Sequence, residues 1–213
     1  MRAFISVSVT ADTTATGCDA AVDSRGSVPF ITSAITELAS LGRAIRPVQP
    51  EQLHVTLTFL GDIDPAIVPP IEAVLADVAA GHAAFDWRIH GVGVFPNRER
   101  PAVIWAGVEP ADCFRKLAGS LSPRLQPLGY EPESRPFTPH LTLARVRGRV
   151  PHALPDWLDR YSATTFAAGR VSRIELMQSE RTPAGQRYSV LAVAPLQKTA
   201  SDTRQQSVRK PGR

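Results

Sequence analysis

The sequence predicts an α+β fold of two lobes, with two antiparallel-rich sheets facing a central cleft and the helices on the outside. Three observations carry this expectation. Short β-rich runs alternate with amphipathic helical stripes, the order of these elements repeats in the second half of the chain, and the same H-x-T-L tetrapeptide occupies the same place in each repeat.

Strand-like alternation occurs at residues 2–9, 53–60, 85–95, 102–108, 138–146, 166–178 and 187–194, with Pro, Gly, Asn and Asp at the borders. Between these runs the apolar spacing turns helical. Ile31, Ala34, Ile35 and Leu38 share one helical face after Ser27 and Pro29. Ile67, Ile71, Val74, Leu75 and Val78 form a second stripe, opened by Asp64 as N-cap and by Pro65 in the first turn, where a missing N–H costs no helical bond. Phe114, Leu117, Leu121 and Leu125 make a third stripe, and Trp157, Leu158 and Tyr161 a short fourth. The resulting order is strand, helix, His strand, helix, strand, and then the same again with one extra strand. The first repeat is longer than the second by roughly the length of the polar stretch 11–26, which reads as an insertion beside the first strand.

The domain expected from this pattern is residues 1–197, a bilobal catalytic unit carrying the 11–26 insertion, followed by a basic tail at 198–213 that reads as disordered. The tail holds Lys198, Arg204, Arg209, Lys210 and Arg213 against Asp202, which accounts for the whole net charge of +4. The body is therefore neutral, and evidence for a nucleic-acid substrate has to come from a site. No apolar run reaches membrane-spanning length and the start shows no signal-peptide core, so a cytoplasmic protein is expected. Cys18 and Cys113 are far apart and in no C-x-x-C spacing, which argues against both a disulfide framework and a zinc site.

The chemistry lies in His54-Val55-Thr56-Leu57 and His140-Leu141-Thr142-Leu143. Alternation along a strand puts His and Thr on one face and the intervening apolar residues in the core. With 15 threonines in 213 residues, a Thr two positions after a given His arises by chance about one time in fourteen. Two such motifs at matching places in a duplicated chain point to function. Imidazoles on opposite walls suit in-line phosphodiester hydrolysis, which needs one base for the incoming water and one acid for the departing alkoxide. Histidine serves either task because its ordinary pKa is near 6.5. The hydroxyls of Thr56 and Thr142 are placed to hold non-bridging phosphate oxygens. Nothing near either motif supplies a metal-ligand set, so no metal and no cofactor are expected.

With these motifs the sequence resembles the two-histidine phosphoesterase superfamily, and within it the bacterial RNA 2′,3′-cyclic phosphodiesterases, also called 2′-5′ RNA ligases. The match runs through Met1 to Ile5, Pro50 to Gly61, Gly91 to Pro96, Arg135 to Arg145 and Leu176 to Glu180. The resemblance implies a pseudo-twofold fold with a water-filled cleft. It assigns His54 as the proton donor to the leaving O3′ and His140 as the proton acceptor that activates water, giving an RNA 2′-phosphate. It adds Arg145 to the phosphate-binding set of Thr56 and Thr142, and it implies that the same site also runs backward to join RNA ends. The sequence departs from the family in its long 11–26 stretch and in having Ser6-Val7-Ser8, without an acidic residue, after the Phe4-Ile5 strand.

The partners expected are RNA with 2′,3′-cyclic phosphate ends or small cyclic nucleotides, met by a monomer without membrane contact. Alternatives are a phosphodiesterase for small cyclic nucleotides and a non-catalytic RNA-end-binding module. Phe95, Phe137 and Tyr130 are candidates to stack on a base, with core packing as their ordinary reading. Arg98, Arg100, Arg147 and Arg149 are candidates for flanking phosphates, and His82, His90 and His152 lack a Thr partner and are assigned no role.

Overall fold

The structure, a computed structural model, describes residues 1–8, 29–132, 135–183 and 185–199. The expected insertion at 11–26 and the tail beyond Thr199 lie outside the described residues. Within them the order is β1 (Arg2–Ser8), α1 (Pro29–Ser40), β2 (Ile45–Pro47), β3 (His54–Asp62), α2 (Val68–Ala80), β4 (Phe85–Phe95), β5 (Val103–Glu109), α3 (Ala111–Leu125), β6 (His140–Val146), α4 (Leu154–Tyr161), β7 (Thr165–Val171), β8 (Arg173–Thr182) and β9 (Gly185–Pro195). The four helical stripes fold as helices. Asp64 caps a short 3₁₀ turn that leads into α2, its carboxylate accepting from the Ala66 N–H at 2.9 Å.

All named strand pairings are antiparallel, and the strands run in the order β7-β4-β5-β6-β3-β1-β8-β9, with β2 added on β6. The two expected sheets are thus the halves of one curled sheet. They are joined where β3 meets β6, through the pair Val55 and Leu141, both fully buried. These are the middle residues of His-Val-Thr and His-Leu-Thr. The pseudo-twofold therefore passes between the two motifs, and antiparallel pairing sets them head to tail, with each histidine beside the other motif's threonine.

Each lobe mixes both halves of the sequence. The first contains β1 and β3 with β8 and β9, covered by α2 and α3; the second contains β4 to β7, covered by α1 and α4. A sequence repeat is not a lobe because β4 and β5 are joined by a short loop, and an adjacent antiparallel pair is the most direct connection such a loop allows. One core cluster runs through both lobes, from Ile31 and Leu38 on α1, through Leu75 on α2 and Phe114 and Leu121 on α3, to Trp157 on α4. Truncating a fully buried leucine such as Leu121 to alanine removes about 2–5 kcal/mol.

Two strand expectations are corrected. The run 166–178 is two strands, β7 and β8, separated at Ser172 and lying in different lobes; β2 was missed because three residues are too few for a period to show.

Candidate active site

A 3₁₀ turn at Pro50–Gln52 delivers the chain into β3 so that His54 is the first strand residue and folds back on its own approach. His54 Nδ1 lies 2.7 Å from the carbonyl oxygen of Gln52, and His140 Nδ1 lies 2.8 Å from the carbonyl oxygen of Thr138. In both cases the partner is two residues back. A carbonyl only accepts, so each Nδ1 carries the hydrogen and donates it, leaving Nε2 as the atom that gives or takes a proton. Thr56 and Thr142 are half-buried on the same face as their histidines, while Leu53, Val55, Leu57, Leu141 and Leu143 go into the core.

Simple alternation from His140 would turn Arg145 away from this face. A bulge prevents that. Trp105 pairs with Thr142 but Ile104 with Ala144, so Leu143 is the extra residue, and Arg145 comes opposite Val103 on the side that Trp105 occupies. β3 carries the matching bulge, which brings Phe59 out at the corresponding place in the first motif; Phe59 is 49% exposed. Arg145 is also the strand partner of Arg46 across the β2–β6 pair, so the two arginines share a face of the sheet.

The sequence profile of the 2′-5′ RNA ligase superfamily matches residues 28–183. The chain belongs to this superfamily. It is 38% identical over 157 residues to a protein of Methanothermobacter thermautotrophicus named RNA 2′,3′-cyclic phosphodiesterase, covering 73% of this chain and 85% of the relative. An Archaeoglobus fulgidus protein of the same name is 36% identical, covering 70% of this chain and 82% of its own. The crystal structure of a Thermus thermophilus protein superposes with a TM-score of 0.70 at 29% identity, over 92% of this chain and 98% of that one. The fold is also that of Escherichia coli LigT in its apo form, with a TM-score of 0.64 at 21% identity over 92% of this chain and 96% of that one.

Within this superfamily frame the two walls of the cleft differ. His54 lies against Phe4 at 4.8 Å between ring centroids and meets Tyr188 edge-on at 5.1 Å. His140 meets Phe95 edge-on at 5.0 Å and has Trp105 at 6.4 Å. Burial pushes the His54 pKa below its ordinary value; the Gln52 carbonyl pulls it up, nearby His140 pushes it down, and Glu175 pulls it up again. Burial raises the Tyr188 hydroxyl, against the pull of the Arg145 and Arg2 guanidiniums.

Of the three aromatics expected to stack on a base, Phe95 stands beside His140, while Phe137 and Tyr130 are half-buried against the core. Arg98 pairs with Asp159 at 2.8 Å on the surface. His82 bonds Ser120 and His90 bonds Thr165, both at 2.9 Å, and His152 meets Arg149; His90 pairs with Gly107, which pairs in turn with His140, so it stands two strands from the second motif. Cys113 is half-buried on α3. Among the described residues no group of three or more His, Cys, Asp or Glu side chains could hold a metal ion, and no helix is long and apolar enough to cross a membrane.

Sequence reasoning missed Phe4, Trp105, Tyr188, Arg2, Ser8 and Glu175 as neighbours of the motifs. Only Trp105 left a local signal. Gly93 stands inside β4, and a Cβ there would collide with the Trp105 indole, so a glycine in a strand marked the close approach.

Proposed function

We propose that this chain is a metal-independent RNA 2′,3′-cyclic phosphodiesterase that opens the ring to a 2′-phosphate, with residues 1–197 as the catalytic unit. The relatives' shared name supports the substrate class. The observation that carries the reaction type is the repeated Nδ1-to-carbonyl bond, which presents two Nε2 atoms of the same tautomer from opposed motifs. His140 Nε2 takes a proton from water as its oxygen attacks phosphorus, and His54 Nε2–H gives a proton to O3′ as the P–O3′ bond breaks. The two steps run on opposite sides of phosphorus, as in-line displacement requires. The hydroxyls of Thr56 and Thr142 donate to the non-bridging oxygens, and Arg145 balances their charge. At the end of the cycle the base is protonated and the acid is not, so solvent exchange resets the pair.

Phe95, Phe137 and Tyr130 are the base-stacking candidates of this reading, and Phe95, beside His140, is the best placed of them. The working form is a cytoplasmic monomer. Phosphorus NMR of a cyclic-phosphate-ended oligonucleotide after turnover is expected to show 2′-phosphate, and a 3′-phosphate product would reverse the leaving oxygen. Turnover is expected to persist in excess EDTA. Comparison of oligonucleotides of increasing length with a nucleoside 2′,3′-cyclic phosphate separates RNA ends from small cyclic nucleotides as the preferred substrate.

A further inference from the structure

The mechanism above leaves one buried ionisable group unused. Glu175 on β8 is 2% exposed, a costly place for a carboxylate unless it is paired. Its Oε1 accepts from Arg173 Nε at 2.7 Å, and its Oε2 accepts from the Ser8 hydroxyl. Ser8 is the strand partner of His54, and Ser6 pairs with Glu175 on one side and Thr56 on the other. Directly opposite residues in a sheet share a face, so Glu175, Ser6, Ser8, Thr56 and His54 lie together on the cleft side of the first lobe. The stretch Ser6-Val7-Ser8 has no carboxylate of its own, and β8 brings one to it.

We propose that Glu175, held by Ser8 and Arg173, is the positioning residue that selects His54 as the proton donor of the pair. This rests on the reading in which His54 donates to O3′. A proton donor must hold its proton until the bond breaks, yet burial of the ring opposes the charged form, and so does the neighbouring imidazole. A fixed negative charge in a low-dielectric wall acts the other way. The groups facing His54 are Glu175 and Arg173 from β8, His140 from β6 and Tyr188 from β9, with Arg2 of β1 and Arg145 of β6 close to Tyr188. Glu175 is the carboxylate of that set. Arg173 tempers it, since the same guanidinium that holds the carboxylate offsets part of its charge.

The test is titration of the His54 imidazole by NMR in the free protein, which needs no substrate and stands even if cyclic-phosphate turnover fails. Glu175→Gln is expected to lower the His54 midpoint, since one opposite charge in reach of the ring is lost, and to move the His140 midpoint less. Arg173→Gln, at a partly exposed site, is expected to move His54 in the opposite direction, because the carboxylate then acts uncompensated. In the active enzyme the alkaline limb of kcat/KM follows the same two shifts. A His54 midpoint unmoved in both variants, an equal shift of His140, or activity lowered evenly at all pH would overturn the proposal. If Glu175→Gln does not fold, the upward shift in Arg173→Gln decides alone, and its absence refutes the idea.

Discussion

The two motifs share a backbone and differ in almost everything around it. Residues 54–59 and 140–145 have the same strand start, the same Nδ1 bond two residues back and the same bulge after the second apolar residue. The bulge exposes Phe59 in one and Arg145 in the other. One imidazole lies between Phe4 and Tyr188 with Glu175 in reach, the other between Phe95 and Trp105. Duplication supplies two equivalently placed imidazoles, and the side chains beside them break the equivalence. On the proposed mechanism, donor and acceptor are told apart by surroundings that the motif itself does not contain.

The strongest way to break the comparison is to remove either histidine. His54→Ala and His140→Ala are each expected to lower kcat by about 10²–10⁴-fold. The double variant is expected to fall far short of the product of the single losses, because the residues act as a unit. Single-turnover rates on one substrate measure both. A His140→Ala protein turning over at near-normal rate would end the paired mechanism. Next in size are the proposed phosphate contacts: on that reading Arg145→Ala, Thr56→Ala and Thr142→Ala would each remove a hydrogen bond to a charged group and are expected to cost about 10–100-fold in kcat/KM. Equal losses at Thr56 and Thr142 would show that the twofold extends to the phosphoryl group.

Much of this site was legible in the sequence because it is local. A His and a Thr two apart on a strand share a face whatever the fold, and the helical stripes bury most of the residues their spacing singled out, with Ile67, Val74 and Tyr161 only half-buried. Even the placement of Arg145 could be framed as a condition, since reaching the cleft required a bulge near Ala144, and the register shift lies there. What was not legible depends on long-range pairing. Glu175 and Tyr188 reach His54 only because β8 leaves its own half of the chain to flank β1 and carries β9 with it as the edge strand. The break at Ser172 was invisible because both sides of it keep strand-like composition, while the change of lobe is a property of the sheet.

Smaller in effect, but sharper about roles, is the pH dependence. Burial lowers the His54 pKa in the free protein, so its imidazolium form is lost at lower pH than an ordinary histidine's. An acid that must be protonated is lost as pH rises, so kcat/KM is expected to fall on an alkaline limb displaced to low pH. A bound cyclic phosphate is an anion beside the ring and favours the charged form, so the alkaline limb of kcat is expected at higher pH than that of kcat/KM. Coincident limbs in the two profiles would mean that the bound phosphate does not lie beside the donor histidine. The limbs belong to the coupled pair, so the comparison is of their displacement.

The smallest expected effect concerns a feature both lobes share. Ser6 pairs with Thr56 and Trp105 with Thr142, and the Ser6 hydroxyl and the Trp105 indole N–H are both buried with no hydrogen-bond partner among the described residues. A buried polar group without a partner costs about 1–3 kcal/mol in desolvation. Ser6→Ala removes that group and leaves a side chain of nearly the same size, so it is expected to leave stability unchanged or raise it by about 1 kcal/mol, read from the denaturant midpoint at constant m-value. Trp105→Phe removes the other orphan donor but also part of the indole packed over Gly93, so its cavity cost of about 1–3 kcal/mol is expected to outweigh the gain. Opposite signs at two equivalent positions would separate the polar effect from packing. A destabilised Ser6→Ala protein would instead mean that the hydroxyl is satisfied by a water in the cleft wall, and that the first lobe keeps a polar contact where the second keeps an aromatic one.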